Sequence, residues 1–226
     1  MTMRKDDHVR QYAVGGFDQN FSYVIWNHAE QSVAVVDPAG DVAALINDIR
    51  DSNYAVEFIL LTHSHEDHWQ EFAKILSLSV KTYMPKIIAH RDFLSSDISC
   101  LDTFTPVEDG HVVHLGSQNI RVLATPGHTC DAVCFFLAAG HSPDGRGKIF
   151  SGDTLFVEGC GRTSLEEAPS LFDSLMRLKT LPENTIVYAG HDYGSVPHST
   201  IAHEKVHNRF ICADSLDTFL LERFPQ

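Results

Sequence analysis

The stretch "THSHEDHW", Thr62 to Trp69, follows the apolar run "VEFILL" of Val56 to Leu61 and crowds three histidines and two acids into His63 to His68. Histidine occurs 14 times in the 226 residues. Three at fixed positions would arise by chance roughly twice in ten thousand registers, so a functional reason is required. In an extended segment His63 and His65 share a face, because side chains at i and i+2 point the same way. The turn that follows swings Asp67 and His68 toward a neighbouring position. The cluster therefore sits at the end of a strand, where open α/β sheets place their ligand-binding loops.

Upstream, "FSYVIWNHAEQSVAVVDPAG" (21–40) reads as a hairpin of β-branched and aromatic residues ending at Asp37 and Pro38. "DVAALINDIRDSN" carries Val42, Leu45, Ile46 and Ile49 at helical spacing, and "VEFILLTH" reads as a buried strand. Downstream, "WQEFAKILSL" (69–78) predicts a helix, and "VKTYMP" (80–85) and "IIAH" (87–90) predict short extended pieces. "GHVVHLGSQNIRVLATPGHT" (110–129) predicts a hairpin that delivers a loop. "DAVCFFLAA" and "GKIFSGDTLF" predict paired strands around the polar tip "HSPDGRG". "APSLFDSLMRLKTL" predicts an amphipathic helix with Leu171, Leu175 and Leu178 on one stripe, and "NTIVYAGH" a further strand. The last stretch, 198–226, predicts one or two helices packed on the body. Strands with a helix, repeated once, suggest two stacked sheets with helices outside, an α/β four-layer sandwich (αβ/βα); the same order is compatible with a doubly wound sheet. The chain has no internal repeat, low-complexity tract or linker, so residues 1–226 are expected to form a single domain with a short helical C-terminal segment.

The 43% apolar content suffices for a core, and the net charge of −13 works against nucleic acid and anionic membrane surfaces as partners. The start "MTMRKDDHVR" has no apolar stretch behind its basic residues, and no run approaches the roughly 18 to 20 apolar residues of a spanning helix. The expected location is the cytoplasm. The five cysteines are odd in number and read as reduced, with Cys130 and Cys134 as packing residues rather than metal ligands.

Strand ends supply four polar clusters: "THSHEDH", "TPGHT", "SGDT" and "AGHD". Each follows an apolar segment, so all can meet at one rim of the sheets. Imidazole and carboxylate are zinc or iron ligands, and a catalytic ion leaves a position open for water. His63, His65, Asp67, His68, His128, Asp153 and His191 are the candidates, too many for one tetrahedral ion and suited to two that share a carboxylate and a water. His111, His114, His141, His198, His203 and His207 read as surface or hairpin residues.

With its H-x-H-x-D-H signature and later ligand positions, the sequence resembles the metallo-β-lactamase superfamily from "VVDPAGD" to "AGHDYG". The resemblance implies that His63, His65 and His128 hold one ion, that Asp67, His68 and His191 hold a second, and that Asp153 bridges them. Asp37 matches a supporting acid beside the site. "FVEGCGRT" (156–163) and "VYAGHDY" (187–193) are similar to glyoxalase II, which implies substrate contacts from Arg162 and Tyr193. An arginine at the rim suits a carboxylate-bearing substrate through a forked pair of hydrogen bonds. The chain departs from glyoxalase II in three places. "WQEFAK" replaces small residues after the signature, so that Trp69 can reshape the pocket; Ser164 replaces an aromatic residue; and the 35 residues after His191 are fewer than the long helical extension of the larger enzymes.

The resemblance implies a metal-dependent thioester hydrolase in which a hydroxide bridging two divalent ions attacks an S-acyl glutathione or a coenzyme A or carrier-protein thioester. Asp67 and Asp153 would be its catalytic carboxylates, with zinc first among the metals and iron or manganese also compatible. Thioesters are favoured over lactams because a thiol with a pKa of about 8.5 leaves without a proton donor. The alternative is a persulfide dioxygenase, whose members share "GCGRT", "HDY" and an "ST...EK..N" pattern seen here at Ser199 to Asn208, with one iron on His63, His128 and Asp153. A di-iron, flavin-linked reductase normally has glutamate where His65 stands. A non-enzymatic metal-holding protein conflicts with the complete ligand set, since drift erases single ligands first. The oligomeric state leaves no trace in the sequence.

Overall fold

In the computed structural model, which describes residues 8–78, 84–142 and 144–225, the strands form two six-stranded sheets. The first runs in spatial order β1 (Val9–Gly15), β2 (Asn20–Asn27), β3 (Ser32–Val36), β4 (Ala55–Leu60), β5 (Lys86–His90), β6 (Phe104–Val107). The second contains β7 (Val112–Leu115), β8 (Gln118–Ala124), β9 (Val133–Leu137), β10 (Lys148–Gly152), β11 (Ile186–Ala189) and β12 (Ser199–Thr200), also in chain order. β1 to β3 pair antiparallel and β3 to β6 parallel. β7 to β10 pair antiparallel, β10 and β11 parallel, and β12 antiparallel on β11. The helices are α1 (Ala43–Ser52), α2 (Phe72–Leu76), α3 (Ser96–Ser99), α4 (Ala168–Lys179), α5 (Ile201–His207), α6 (Arg209–Cys212) and α7 (Leu216–Arg223).

Alternation along each strand sorts the apolar residues into three layers. On β3, Val33 and Val35 face a cluster with Leu45, Ile46 and Ile49 of α1, while Ala34 and Val36 face the second sheet. From that sheet Val122, Phe135, Phe150 and Tyr188 complete the central layer, and Cys134, Ile149 and Val187 point to the far side, against Leu171, Leu175 and Leu178 of α4. Three apolar interfaces between four layers are what an αβ/βα sandwich requires, and they exclude the doubly wound alternative. Each fully buried large side chain, such as Trp26 or Phe135, contributes about 1.5 to 3 kcal/mol against the chain entropy. Cys134 lies buried in the outer layer, in keeping with the packing reading, whereas Cys130 is exposed in the turn before β9 and packs in no core, which corrects that reading for Cys130.

The helix expected over 69–78 shrinks to Phe72–Leu76. The residues before it are taken by the histidine cluster: Glu66–His68 form a single 3-10 turn, and Trp69 stands at φ −137°, outside the helical region. β1 and β6 lacked a signal in the sequence, since β1 exposes alternate residues without strong apolar patterning. Most of the extended piece expected at 80–85 lies outside the described residues. The C-terminal stretch forms three short helices rather than one or two, each opened by a side-chain cap, Thr200, Asn208 and Ser215 in turn. Among the described residues no helix is long and apolar enough to cross a membrane.

Candidate metal centre

Four strand ends converge. β4 leads into Thr62 to His68, β8 into His128, β10 into Asp153 and β11 into His191, so that the first sheet supplies one ligand loop and the second sheet three. Backbone bonds tie the sheets together at this point: Val133 N–H donates to the Thr62 carbonyl (2.8 Å) and Phe21 N–H to the Gly190 carbonyl (2.8 Å). The β10–β11 register shifts between Phe150 and Gly152, immediately before Asp153. Such irregularities re-aim side chains next to sites.

The seven candidate ligands come together. His63 Nε2 and His65 Nδ1 lie 3.0 Å apart, and His128 Nε2 lies 3.0 Å from the same His65 atom. His68 Nε2 lies 3.2 Å from His191 Nε2, and Asp67 Oδ2 is 3.6 Å from each of them. Asp153 touches both groups, with Oδ1 at 3.2 Å from His68 Nε2, and Oδ2 at 3.3 Å from His191 Nε2 and 3.5 Å from His128 Nε2. Three groups among the described residues each keep their ligand atoms within 4.8 Å: His63/His65/His128, Asp67/His68/His191, and His63/His68/Asp153, which joins the other two.

The opposite ring nitrogens decide which atoms are free to coordinate. His128 Nδ1 is 2.7 Å from the Arg162 carbonyl and His191 Nδ1 is 2.6 Å from the Asp18 carbonyl. A carbonyl can only accept, so both Nδ1 atoms carry protons and both Nε2 atoms present lone pairs inward. His68 Nδ1 donates to Asp37 Oδ2 (3.0 Å) by the same logic. Thr62 Oγ1 gives its proton to Asp37 Oδ2 (2.7 Å) and is left to accept from His63 Nδ1 at 3.1 Å. Lone pairs therefore face one another and face carboxylates. The buried Asp153 Oδ1 has no hydrogen-bond donor, because the His68 proton points the other way. Such a set calls for positive charge in its midst, from protons or from divalent cations, and its nitrogen and oxygen donors fit zinc or iron.

Electrostatics agree. Burial disfavours charge on His68 and His191, yet Asp153, joined at His68 by Asp37, overcomes it and raises both pKa values. Burial, reinforced by neighbouring histidines, lowers those of His63 and His128. Burial would raise Asp153, but the adjacent His68 and His191 hold its carboxyl well below the usual range. With raised pKa values, His68 and His191 of metal-stripped protein take up a proton more readily than a free imidazole, and a cation competes with that proton for Nε2. Zinc titrated into that protein will release protons, and its affinity will fall as the pH drops. Calorimetry in two buffers of different ionisation enthalpy measures the release; identical heats in both would contradict it.

Gly190 closes the floor of the centre. A Cβ there would lie 2.4 Å from Asp153 Oδ1 and 2.7 Å from His68 Cε1. Gly190→Ala is expected to reduce metal content more than tenfold while leaving a folded chain, checked by metal analysis and circular dichroism.

Of the expected substrate residues, Arg162 is exposed at the end of the Phe156 to Arg162 loop, behind His128. Tyr193 stacks on the His191 ring (centroids 4.8 Å apart, 2° between planes) and donates its hydroxyl to the Asp18 carboxylate. Trp69 is half-buried against Phe72 and Phe93, and its indole N–H donates to the Ser64 carbonyl (3.0 Å), bracing the ligand loop. Three supporting residues escaped the sequence reading: Asp18, Thr62, and Asn20, whose amide donates to Asp67 Oδ2 at 2.8 Å. Their only signal, polar residues beside apolar strands, is shared with ordinary turns. Burial raises the thiol of Cys160 to about 12, which removes it as a nucleophile.

A family model described as the metallo-beta-lactamase superfamily matches residues 15–191. A hydroxyacylglutathione hydrolase of Chromohalobacter salexigens is 34% identical over 180 residues, covering 80% of this chain and 65% of that protein. The chain thus spans just under two thirds of that relative's length. The crystal structure of ETHE1 from Myxococcus xanthus is similar with a TM-score of 0.74 at 30% identity, covering 96% of this chain and 91% of that one. That of TTHA1623 in a di-iron-bound form is similar with a TM-score of 0.66 at 27% identity, over 86% and 96% of the respective chains.

Proposed function

The chain belongs to the metallo-β-lactamase superfamily, and from that premise we propose that it is a thioester hydrolase of glyoxalase II type working with two divalent ions. The observation that carries the proposal is the pair of ligand triads, His63/His65/His128 and Asp67/His68/His191, joined by the group His63/His68/Asp153, whose carboxylate lies against both. His63, His65 and His128 would hold one ion and Asp67, His68 and His191 the other, with Asp153 between them. A single ion would leave half of these inward-facing groups without a cation. Zinc is the first choice, and iron or manganese suits the same donors. The hydrolase likeness at 34% identity and the di-iron form of a structural neighbour support the reading. It treats residues 1–226 as one unit, since ligands come from both sheets.

Divalent ions held here would supply Lewis acidity toward a thioester carbonyl and toward water. The chain's own contribution is to keep the lone pairs of His68, His191 and His128 aimed inward, through the Asp37, Asp18 and Arg162 acceptors, which limits reorganisation during turnover. The guanidinium of Arg162 would grip a carboxylate on an S-acyl glutathione or related thioester, beside Tyr193, while Trp69 shapes the rim. Arg162→Ala should raise KM about tenfold with kcat within about twofold, because a remote grip acts on ground state and transition state alike. Steady-state kinetics on S-lactoylglutathione check this, and an unchanged KM would remove Arg162 from the substrate site.

The second reading, oxidation of a persulfide at one iron on His63, His128 and Asp153, is the one that the ETHE1 likeness fits. Metal content of protein purified without added metal, measured with thiol release from S-lactoylglutathione and oxygen uptake with glutathione persulfide, separates the two. About two metals per chain with thiol release is expected. About one iron with oxygen uptake would establish the alternative instead.

A further inference from the structure

The "ST...EK..N" pattern at Ser199 to Asn208 supplies no ligand or substrate contact in either reading, and the structure shows what it touches. Glu204 is fully buried, and three neutral donors reach its carboxylate: Glu158 N–H (2.9 Å) and Asn208 Nδ2 (2.8 Å) at Oε2, and the Ser199 hydroxyl at Oε1. Asn208 Nδ2 also donates to the Gly159 carbonyl (2.9 Å). Glu158 itself stands at φ 59°, a left-handed conformation that a side chain bearing a Cβ holds only under external constraint. Its carboxylate supplies more of that constraint, accepting from Ser195 Oγ (2.8 Å) and meeting His203 Nε2 at 2.9 Å. Four residues later the same loop delivers Arg162, whose carbonyl orients His128. Between them, at Gly161, a Cβ would stand 2.0 Å from the Asp153 carbonyl oxygen and 2.9 Å from the His128 ring. A small displacement of this loop therefore reaches the centre.

We infer that Glu204 is a positioning residue that clamps the Glu158 to Arg162 loop and thereby sets the affinity of the His63/His65/His128 ion position. The inference rests on the two-ion reading. The bond pattern makes its own discriminating demand. A glutamine at 204 can keep its oxygen toward Glu158 N–H and Asn208 and turn its amide to Ser199 Oγ, which can accept; a methionine of similar shape offers no such acceptor.

Zinc affinities measured by competition with a chromophoric chelator, and amide exchange followed by mass spectrometry, test it. Glu204→Met should weaken one of the two ions about tenfold or more, leave the other unchanged, and speed exchange in residues 159–163 about tenfold. Glu204→Gln should retain wild-type behaviour in both. Should Glu204→Met fail to fold, Ser199→Ala, which removes a single donor, should show the same pair of effects at about threefold. Wild-type affinities and loop exchange in the folded variant would overturn the clamp, as would a Glu204→Gln protein as impaired as Glu204→Met. Wild-type protein that binds no pair of ions would instead overturn the two-ion reading.

Discussion

Asp153→Ala will lower turnover by at least about a thousandfold and reduce the metal held per chain from about two ions to one, with the fold retained. The expectation follows from position. Asp153 is 8% exposed, and its two oxygens lie against ligands from both triads, His128 on one side and His68 and His191 on the other. Without it the triads become independent sites, and three inward lone pairs lose the anion that balances the cations they share. Asp153→Asn, which keeps the shape and halves the acceptor capacity, should be intermediate in metal content and close to alanine in turnover. Metal analysis alongside kcat reads both. Near-wild-type turnover in Asp153→Ala would sink the two-ion scheme, because among the described residues no other carboxylate touches both triads.

Asp37→Asn will be nearly as damaging, although Asp37 need not touch either ion. One oxygen accepts from Thr62 N–H (2.8 Å), the other from the Thr62 hydroxyl (2.7 Å) and from His68 Nδ1 (3.0 Å). All three partners donate, and an amide offers only one acceptor oxygen. If its NH2 faces Thr62 N–H, two donors collide; if it faces His68, the imidazole must surrender its Nδ1 proton and reverse the tautomer that presents Nε2 to the centre. The Thr62 hydroxyl would then also turn, disturbing His63. The expected result is a 10- to 100-fold (order-of-magnitude) loss of metal affinity, with about 1 to 3 kcal/mol lost from stability for the unpaired buried donor. Chelator competition and urea denaturation of the metal-free protein measure the two parts separately. The contrast with Glu204 is instructive: there one oxygen faces a hydroxyl that can reverse its role, and the amide is tolerated.

The chain's own order of residues determined more of this protein than its turns suggest. Alternation on β3 and on β8 to β10, and the Leu171, Leu175, Leu178 stripe on α4, are local burial patterns, and local patterns survive in a single sequence. The meeting of the seven candidate residues was legible for a related reason: the segments that carry them follow apolar strands, and strand ends of stacked sheets share a rim. Only the tertiary structure decided how the centre is held. The Thr62 to Asp37 bond spans 25 residues and the His68 to His191 contact 123, distances over which no periodicity operates. Trp69 and its neighbours read as helix from composition, but the ligand loop claimed their backbone. Glu204 and Asn208 stood out in the sequence only as part of a shared pattern, and their docking on the Glu158 loop is set by the tertiary structure. Hydrogen-bond direction is set by which donor meets which acceptor in space, so the tautomer of His191, fixed by the Asp18 carbonyl, exists only once the two sheets are stacked, and the clamp behind Arg162 only once α5 docks on the Glu158 loop.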